Sequence, residues 1–204
     1  MLFLPAIFQV DEALFLAINN LPHPAIFDFF FLFFSFYPFI IWLLIGVIVV
    51  IVEERKEKLF IVRLLLALLL AGALASGFFK PLFRRPRPDI SIGSQVIIVT
   101  EKRAVLPWFN DFAFPSGHAA VAFAGAYILT REETKTKHSK QMHSEGKRRI
   151  FNWIFILFAV LTAFSRIYLG KHYPIDVIAG AALGWWVGWA AWKLVDFISP
   201  PKIS

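Results

Sequence analysis

Hydrophobic residues in this chain occur in long runs that are almost free of charge, and these runs predict membrane-spanning helices. Five such runs occur, at 25–52, 59–79, 114–130, 150–164 and 175–198. The charged residues inside them are few: Asp28, Arg63, Asp176, Lys193 and Asp196. A helix of about 20 apolar residues is long enough to cross a bilayer. The pattern therefore predicts an all-α, polytopic membrane bundle with five or six transmembrane helices.

The segments outside the runs predict how the rest of one domain, residues 1–204, is organised. Residues 11–20 place apolar side chains on one helical face, which predicts a short N-terminal interfacial helix. Pro38 is expected to kink or divide the first run. The proline-containing segment 80–113 is predicted to be a loop at the membrane surface, and the charged segment 131–149 is predicted to be a cytoplasmic loop.

Composition agrees with a membrane protein and excludes several kinds of chemistry. Hydrophobic residues make up 58% of the chain, and there is no cysteine, which excludes disulfides, thiol catalysis and cysteine-based metal sites. The net charge of +7 could indicate nucleic-acid binding. Basic residues gather between the apolar runs, however, as membrane orientation requires, so the lipid bilayer and not nucleic acid is the expected partner.

The basic residues also predict the orientation of the chain. Segment 53–58 has three of them and segment 131–149 has seven, so both are expected to face the cytoplasm. Alternation of the spans then places segment 80–111, which has six, on the opposite side. A basic loop on that side is expected to bind an anion. We therefore predict a plasma (inner) membrane protein whose functional loop faces the outside or the periplasm.

Three polar clusters lie at the span ends that alternation places on this outer side. They read KPLFRRPRP at 80–88, PSGH at 115–118 and SRIYLGKHYPID at 165–176. The planar fork of arginine and the compact charge of lysine both suit phosphate oxygens. With Pro115 at the first helical position, residues 116–118 fall in a first turn whose backbone N–H groups favour an anion. The clusters together predict a phosphate site.

The third cluster adds groups that could react with that phosphate. If Pro174 begins the last helix, Asp176 lies in its first turn, where its carboxylate can reach back toward His172. A carboxylate on one ring nitrogen leaves the other free to attack phosphorus. Of two histidines near one phosphate, one can attack while the other protonates the leaving oxygen. The isolated cation Arg63 is expected to extend to the lipid headgroups.

These motifs resemble those of the type 2 phosphatidic acid phosphatase family of membrane lipid phosphatases. The matching positions are Lys80, six residues, then Arg87-Pro88; Pro115-Ser116-Gly117-His118; and Ser165-Arg166, five residues, His172, three residues and Asp176. The resemblance covers roughly residues 60 to 190. It implies a phosphatase that hydrolyses a membrane phospholipid or polyprenyl phosphate through a phosphohistidine, with no cofactor and no metal.

The resemblance also implies a role for each motif residue. His172 would be the nucleophile, Asp176 would orient it, and His118 would be the general acid and base. The groups that would bind the phosphoryl oxygens are Lys80, Arg87, Ser116, Gly117 and Arg166. Arg85 lies in the variable spacer of the first motif and has two interpretations, a contact to substrate or a contact to a lipid headgroup.

Several functions stay open at this point. Undecaprenyl diphosphate is the favoured substrate, because the chain is small and the loop faces outward; phosphatidylglycerol phosphate and phosphatidic acid come next, then lipid A phosphate. A lipid phosphotransferase would use the same site. Vanadium-dependent haloperoxidases resemble the same pocket, but they are soluble. A lipid-binding membrane protein or a transporter is the non-enzymatic alternative, although transporters place their polar residues nearer the bilayer midplane. The sequence leaves the oligomeric state open.

Overall fold

The computed structural model describes residues 3–36, 38–52, 58–99, 112–135 and 145–199. The long helices are α1 (Phe3–Asn19), α2 (Ala25–Phe36), α3 (Pro38–Val52), α4 (Lys58–Ala73), α7 (Gly117–Lys135), α8 (Glu145–Tyr168) and α9 (Pro174–Ile198). Two short helices, α5 (Lys80–Phe83) and α6 (Pro88–Ser91), lie between α4 and α7. No β-strand forms within these ranges, so the predicted all-α class is confirmed.

Three helical stretches of the described residues are long and apolar enough to cross a membrane: Leu59–Phe83, Arg149–Tyr168 and Pro174–Ile198. Helices α2 and α3 form a fourth candidate, bent by 73°. Pro38 is the first residue of α3, so the predicted division of the first run is confirmed. The remaining run corresponds to α7, whose last turns carry Arg131, Glu132 and Glu133. The predicted number of five or six spans stays a prediction.

Several helix ends differ from the predicted boundaries. Helix α1 begins at Phe3, well before residue 11. Helix α7 continues to Lys135 and α8 begins at Glu145, so both extend into the segment 131–149 that was predicted to be a loop. Glu, Lys and Arg are good helix formers, so a charged stretch can continue a helix beyond the apolar part.

Helix α7 is the centre of the bundle and packs against α9, α8, α4 and α3. Helix α9 approaches it closely through glycines. A Cβ on Gly180 would lie 2.3 Å from the carbonyl oxygen of Ser116, and one on Gly184 would lie 2.0 Å from that of Ala120. Small residues allow such close contact between the backbones of membrane helices. The contact fixes the start of α7 beside the first turn of α9.

The outer surface of the bundle is strongly apolar. Phe29, Trp153 and Phe197, on three different helices, are 76%, 69% and 85% exposed. A large exposed apolar surface marks contact with a partner or with lipid. Here it lies on the candidate spans, so the lipid bilayer covers it and the chain is a membrane protein.

Arg63 does not extend to the lipid headgroups as expected. Its side chain is 3% exposed, and its guanidinium donates a hydrogen bond to Asp196 at 2.7 Å. The same guanidinium lies 4.4 Å from the centre of the Trp192 ring. Ionisable groups within a membrane bundle face the interior and pair with one another because lipid cannot solvate them. The pair therefore joins α4 to α9.

Candidate active site

Backbone hydrogen bonds connect the three polar clusters. The N–H of Ala113 donates to the carbonyl of Arg85 at 2.8 Å, which joins the first cluster to the segment before PSGH. The N–H of Ser116 donates to the carbonyl of Asp176 at 2.9 Å, which joins the second cluster to the third. The convergence predicted from the alternation of the spans is therefore present in the structure.

A wider helical turn brings Lys80 to this end of the bundle. Helix α4 continues through a π-helical turn, Leu74–Phe79, directly into α5, whose first residue is Lys80. Such turns occur frequently at functional positions. The same turn packs against the start of α7, because a Cβ on Gly117 would lie 3.1 Å from the hydroxyl of Ser76. Lys80 is 8% exposed and lies inside the bundle, away from the lipid surface.

Ser116 is the N-cap of α7, and Gly117 and His118 are its first two residues. The Ser116 hydroxyl accepts a hydrogen bond from the N–H of Ala119 at 3.4 Å, and the side chain is fully buried. The helix therefore begins two residues later than predicted from Pro115. The N–H groups of the first turn lack helical acceptors, and together with the helix dipole they favour an anion.

His172 lies in the connection between α8 and α9 and is 1% exposed. Burial, reinforced by the charges of Arg87, Lys80 and Arg166, holds the pKa of His172 well below its usual range. The same three cations also act on His118, so both histidines lie in one field of positive charge. A neutral imidazole keeps the lone pair that a nucleophile needs.

The two arginines of the motifs are held in different ways. Arg166, in the last turn of α8, is 3% exposed and donates to the hydroxyl of Ser35 on α2. The Nε of Arg87 is buried and has no hydrogen-bond partner among the described residues. A buried guanidinium N–H without a protein acceptor suits an anionic ligand. Sequence analysis missed Ser35, whose only signal is its position as a polar residue in a run of phenylalanines.

Asp176 is fully buried in the first turn of α9, as Pro174 predicted. Its Oδ2 accepts the N–H of Tyr173 at 2.9 Å, which is the capping interaction of that turn. The same oxygen lies 3.8 Å from Nδ1 of His172, which is too far for a hydrogen bond. The expected direct bond is therefore absent in this conformation, in which the oxygen that faces the ring accepts the backbone N–H of Tyr173.

Arg85 fits neither of its two interpretations. Its terminal nitrogens donate to Oδ1 of Asp176 at 2.7 Å and to Oδ2 of Asp11 at 2.6 Å. Asp11 belongs to α1, and its side chain is fully buried. Sequence analysis missed it as a site residue, because it does not belong to the apolar face of the predicted interfacial helix. The sequence offers one signal for it: Asp11 is an acidic residue among the apolar positions of α1.

A comparison with known families matches the model of the PAP2 superfamily to residues 60–199. The chain belongs to the PAP2 superfamily. It is therefore a lipid phosphatase of PAP2 type, and the enzyme class predicted from the three motifs is confirmed. The matched region contains all three clusters but not α1.

Individual relatives carry different names. Lipid A 4'-phosphatase of Porphyromonas gingivalis is 28% identical over 92% of this chain and 74% of its own length. Undecaprenyl-diphosphatase of Sulfolobus acidocaldarius is 38% identical, but over only 38% of this chain and 31% of its own length. The preference for undecaprenyl diphosphate that the sequence analysis expressed is therefore unsupported, and lipid A phosphate is at least as well supported.

Two solved structures share the fold. The crystal structure of Aquifex aeolicus LpxE has a TM-score of 0.59 and 29% identity, covering 89% of this chain and 93% of that chain. The transmembrane PAP2-type phosphatidylglycerolphosphate phosphatase from Bacillus subtilis has a TM-score of 0.67 at 21% identity, covering 97% of this chain and 90% of that chain. At that identity, the second likeness concerns the fold alone.

Proposed function

We propose that the protein removes a phosphate group from a membrane lipid at the outer face of the plasma membrane, through a phosphohistidine formed on His172. One observation carries the proposal: His172 is buried, and the charges of Lys80, Arg87 and Arg166 act both on it and on His118. Phosphoryl transfer depends mainly on positioning and on stabilising negative charge. Lys80, Arg87 and Arg166 supply that charge, so the proposed mechanism uses no metal.

In the first step, Nε2 of His172 attacks phosphorus while the bond from phosphorus to the lipid oxygen breaks. The bound phosphate offsets the charge of the three cations and so favours protonated His118, which gives its proton to the leaving lipid oxygen and becomes neutral. The phosphoryl oxygens are held by the three cations and by the N–H groups at the start of α7. As Nε2 bonds to phosphorus, the ring becomes cationic and its Nδ1–H is drawn toward Oδ2 of Asp176, from the present 3.8 Å.

In the second step, water attacks the phosphohistidine. Neutral His118 takes a proton from the attacking water, the bond from phosphorus to nitrogen breaks, and His172 returns to its neutral form with inorganic phosphate released. An alcohol in place of water would make the same site a phosphotransferase. The products distinguish these two outcomes, because only hydrolysis releases inorganic phosphate.

For the substrate, we propose a lipid A phosphate, a phosphate monoester on a glycolipid headgroup. The support is the extent of similarity: the relative named lipid A 4'-phosphatase matches 92% of the chain, whereas the undecaprenyl-diphosphatases of Sulfolobus acidocaldarius and Bacillus subtilis match 38% and 64% of it. The motifs that hold and transfer phosphate are needed by every substrate. Similarity beyond them therefore carries the information about which lipid is bound.

The test is phosphate release by the detergent-purified chain, with EDTA present, from lipid A, undecaprenyl diphosphate, phosphatidylglycerol phosphate and phosphatidic acid. We expect the highest kcat/KM on lipid A. His172→Ala and His118→Ala should each lower kcat by at least about a hundredfold, since general acid–base catalysis alone contributes that much. His143→Ala, in the charged segment 131–149, is the matched control and should stay at the wild-type rate.

Three results would contradict parts of the proposal. Activity of His172→Ala equal to wild type would exclude the phosphohistidine. Loss of activity with EDTA, restored by a divalent cation, would exclude the metal-free mechanism. A kcat/KM on undecaprenyl diphosphate above that on lipid A would reverse the choice of substrate while leaving the chemistry intact.

A further inference from the structure

Two buried carboxylates share one guanidinium at the edge of the active site. Asp11 and Asp176 lie on different helices, α1 and α9, and the side chains of both are fully buried. Arg85 lies between them with one terminal nitrogen on each, at 2.6 and 2.7 Å. A buried carboxylate without a partner is strongly destabilising. Both acids therefore depend on this one arginine.

The remaining carboxylate oxygens hold the start of α9. Oδ1 of Asp11 accepts the N–H of Ile175 at 2.9 Å, and Oδ2 of Asp176 accepts the N–H of Tyr173 at 2.9 Å. Two acids thus bind two N–H groups that flank Pro174, directly after His172. The guanidinium of Arg85 also lies 4.1 Å from the centre of the Tyr173 ring. The connection that carries the nucleophile is therefore held by three side chains: Asp11, Asp176 and Arg85.

This arrangement determines which oxygen of Asp176 faces the nucleophile. Arg85 binds Oδ1, so the carboxylate presents Oδ2 to Nδ1 of His172. Each carboxylate is held at both oxygens, one bound by a terminal nitrogen of Arg85 and the other by a backbone N–H. A lysine ammonium lacks the rigid fork that reaches both acids at once. With both terminal nitrogens bound to protein carboxylates, Arg85 is not arranged as a phosphate ligand.

We propose that Arg85 and Asp11 are positioning residues, which hold Asp176 in the orientation that accepts a hydrogen bond from Nδ1–H of His172 when phosphorus is attacked. This inference rests on the proposed phosphohistidine function. It makes helix α1 part of the catalytic apparatus, although α1 lies outside the region matched by the family model, residues 60–199. Asp11 acts through Arg85, and Arg85 acts through Asp176.

The test compares the affinities of the full-length protein in detergent for orthovanadate and for inorganic phosphate. Binding of each ligand is measured by the change in tryptophan fluorescence. Vanadate forms a five-coordinate adduct with a nucleophile and so imitates the transition state, whereas phosphate needs only the anion-binding groups. We expect Arg85→Gln and Asp11→Asn each to weaken vanadate binding about tenfold, a coupling typical of one ion-pair network. Phosphate affinity should change less than twofold.

Lipid hydrolysis gives a second readout of the same variants. A positioning role predicts a kcat about tenfold lower with KM nearly unchanged, since the interaction matters only as the ring becomes charged. Arg85→Lys should recover only part of kcat, because one ammonium cannot fork between two carboxylates. In the double variant, Asp11→Asn should add less than twofold to the loss from Arg85→Gln, because Asp11 acts through that arginine.

Neighbouring residues supply the controls. Glu12→Gln removes a negative charge, as Asp11→Asn does, one position further along α1. Arg84→Gln removes a positive charge, as Arg85→Gln does, one position earlier. Neither Glu12 nor Arg84 has a hydrogen bond to Asp176. Both variants should match wild type in vanadate affinity and in kcat.

The possible failures are distinguishable. If wild type binds vanadate and hydrolyses lipid but Arg85→Gln and Asp11→Asn behave like it, only the positioning inference is wrong. Equal weakening of vanadate and phosphate, or a rise in KM alone, would make Arg85 a substrate-binding residue. A lower melting temperature with unchanged vanadate affinity would make the network merely structural. Wild type that neither binds vanadate nor releases phosphate would overturn the proposed function and this inference with it.

Discussion

At the scale of single residues, the site keeps its nucleophile neutral by the same means that it uses to hold phosphate. Burial and the charges of Arg87, Lys80 and Arg166 all disfavour a protonated His172 and lower its pKa. Those cations also attract the anionic substrate. Binding of phosphate and activation of the nucleophile are therefore two effects of one arrangement of charge.

A pH profile tests this connection. Because the pKa of His172 lies below its ordinary value of about 6.5, the ring stays neutral and reactive at pH values where an ordinary histidine is protonated. The acid limb of kcat/KM, which reports the free enzyme, should therefore fall below pH 6.5. Arg87→Gln removes one of the charges that lower the pKa, so the limb should move to higher pH. The measurement is kcat/KM from pH 4 to 8 for both proteins.

The control for this profile is Arg84→Gln, because Arg84 is exposed and its side chain donates to the backbone carbonyl of Pro81. Its acid limb should coincide with that of wild type. An Arg87→Gln limb at the wild-type position, despite a lower maximum, would mean that Arg87 does not influence the titration of His172.

The lowered pKa of His172 also determines the direction in which folding stability changes with pH. The unfolded chain binds a proton at His172 with an ordinary pKa, and the folded chain binds it only at lower pH. The unfolded state therefore holds more protons below about pH 6.5, and folding stability contributed by this group is lost as the pH falls below that value.

At the scale of helices, polar side chains at the helix ends join one element to another. Asn19, at the end of α1, is fully buried, and its side chain makes three hydrogen bonds within the described part of the chain. Its amide donates to the carbonyls of Ile97 and Tyr168, both at 2.9 Å, and its oxygen accepts the N–H of Ile97 at 2.8 Å. One side chain thus joins α1 to the end of α8 and to the segment after α6.

We expect Asn19→Ala to lower the free energy of unfolding by about 2 to 3 kcal/mol, because it leaves the buried carbonyl of Tyr168 and the half-buried backbone groups of Ile97 without this partner. Asn20→Ala is the matched control, since Asn20 is exposed and should change the value by less than about 0.5 kcal/mol. Denaturant unfolding in detergent, followed by tryptophan fluorescence, measures both. Equal stability of the two variants would contradict the assigned role of Asn19.

The contact between α7 and α9 makes a second prediction at this scale. Gly184→Ala would place a Cβ 2.0 Å from the carbonyl oxygen of Ala120, so the helices must separate. Such overpacking costs about 1 to 3 kcal/mol. Gly77→Ala is the control, because a Cβ there meets nothing within 4 Å. Its melting temperature should equal or exceed that of wild type, whereas that of Gly184→Ala should fall.

Much of this architecture could be predicted from the sequence because it depends on local patterns. The apolar runs located the helices, and Pro38 and Pro174 marked two helix starts. The partners of Arg85 could not be found in this way. They lie 74 and 91 residues away along the chain, at Asp11 and Asp176, and helical periodicity contains no information about which distant helices meet. The contact between Ser35 and Arg166 could not be predicted for the same reason, because it also joins two helices that are distant along the chain.

At the scale of the whole molecule, helix α7 runs from the candidate site at one end of the bundle to charged residues at the other. Helix α7 carries His118 at its start and Arg131 near its end, which at 1.5 Å per residue places the two about 20 Å apart. The pair Arg63–Asp196 joins α4 to α9 near the end of α9 opposite to Asp176. The membrane face at which the catalytic end lies determines which leaflet supplies the substrate.

The absence of cysteine from the chain allows a direct test of this orientation. Single cysteines replace Arg84, beside the active site, and Arg131, both of which are exposed. Basic connections remain in the cytoplasm, so we expect a membrane-impermeant maleimide to label Arg84→Cys in intact spheroplasts and Arg131→Cys only after lysis. The unsubstituted chain, which should stay unlabelled throughout, is the control. The opposite pattern would place the active site at the inner leaflet, and hydrolysis of an outer-leaflet lipid would then be excluded.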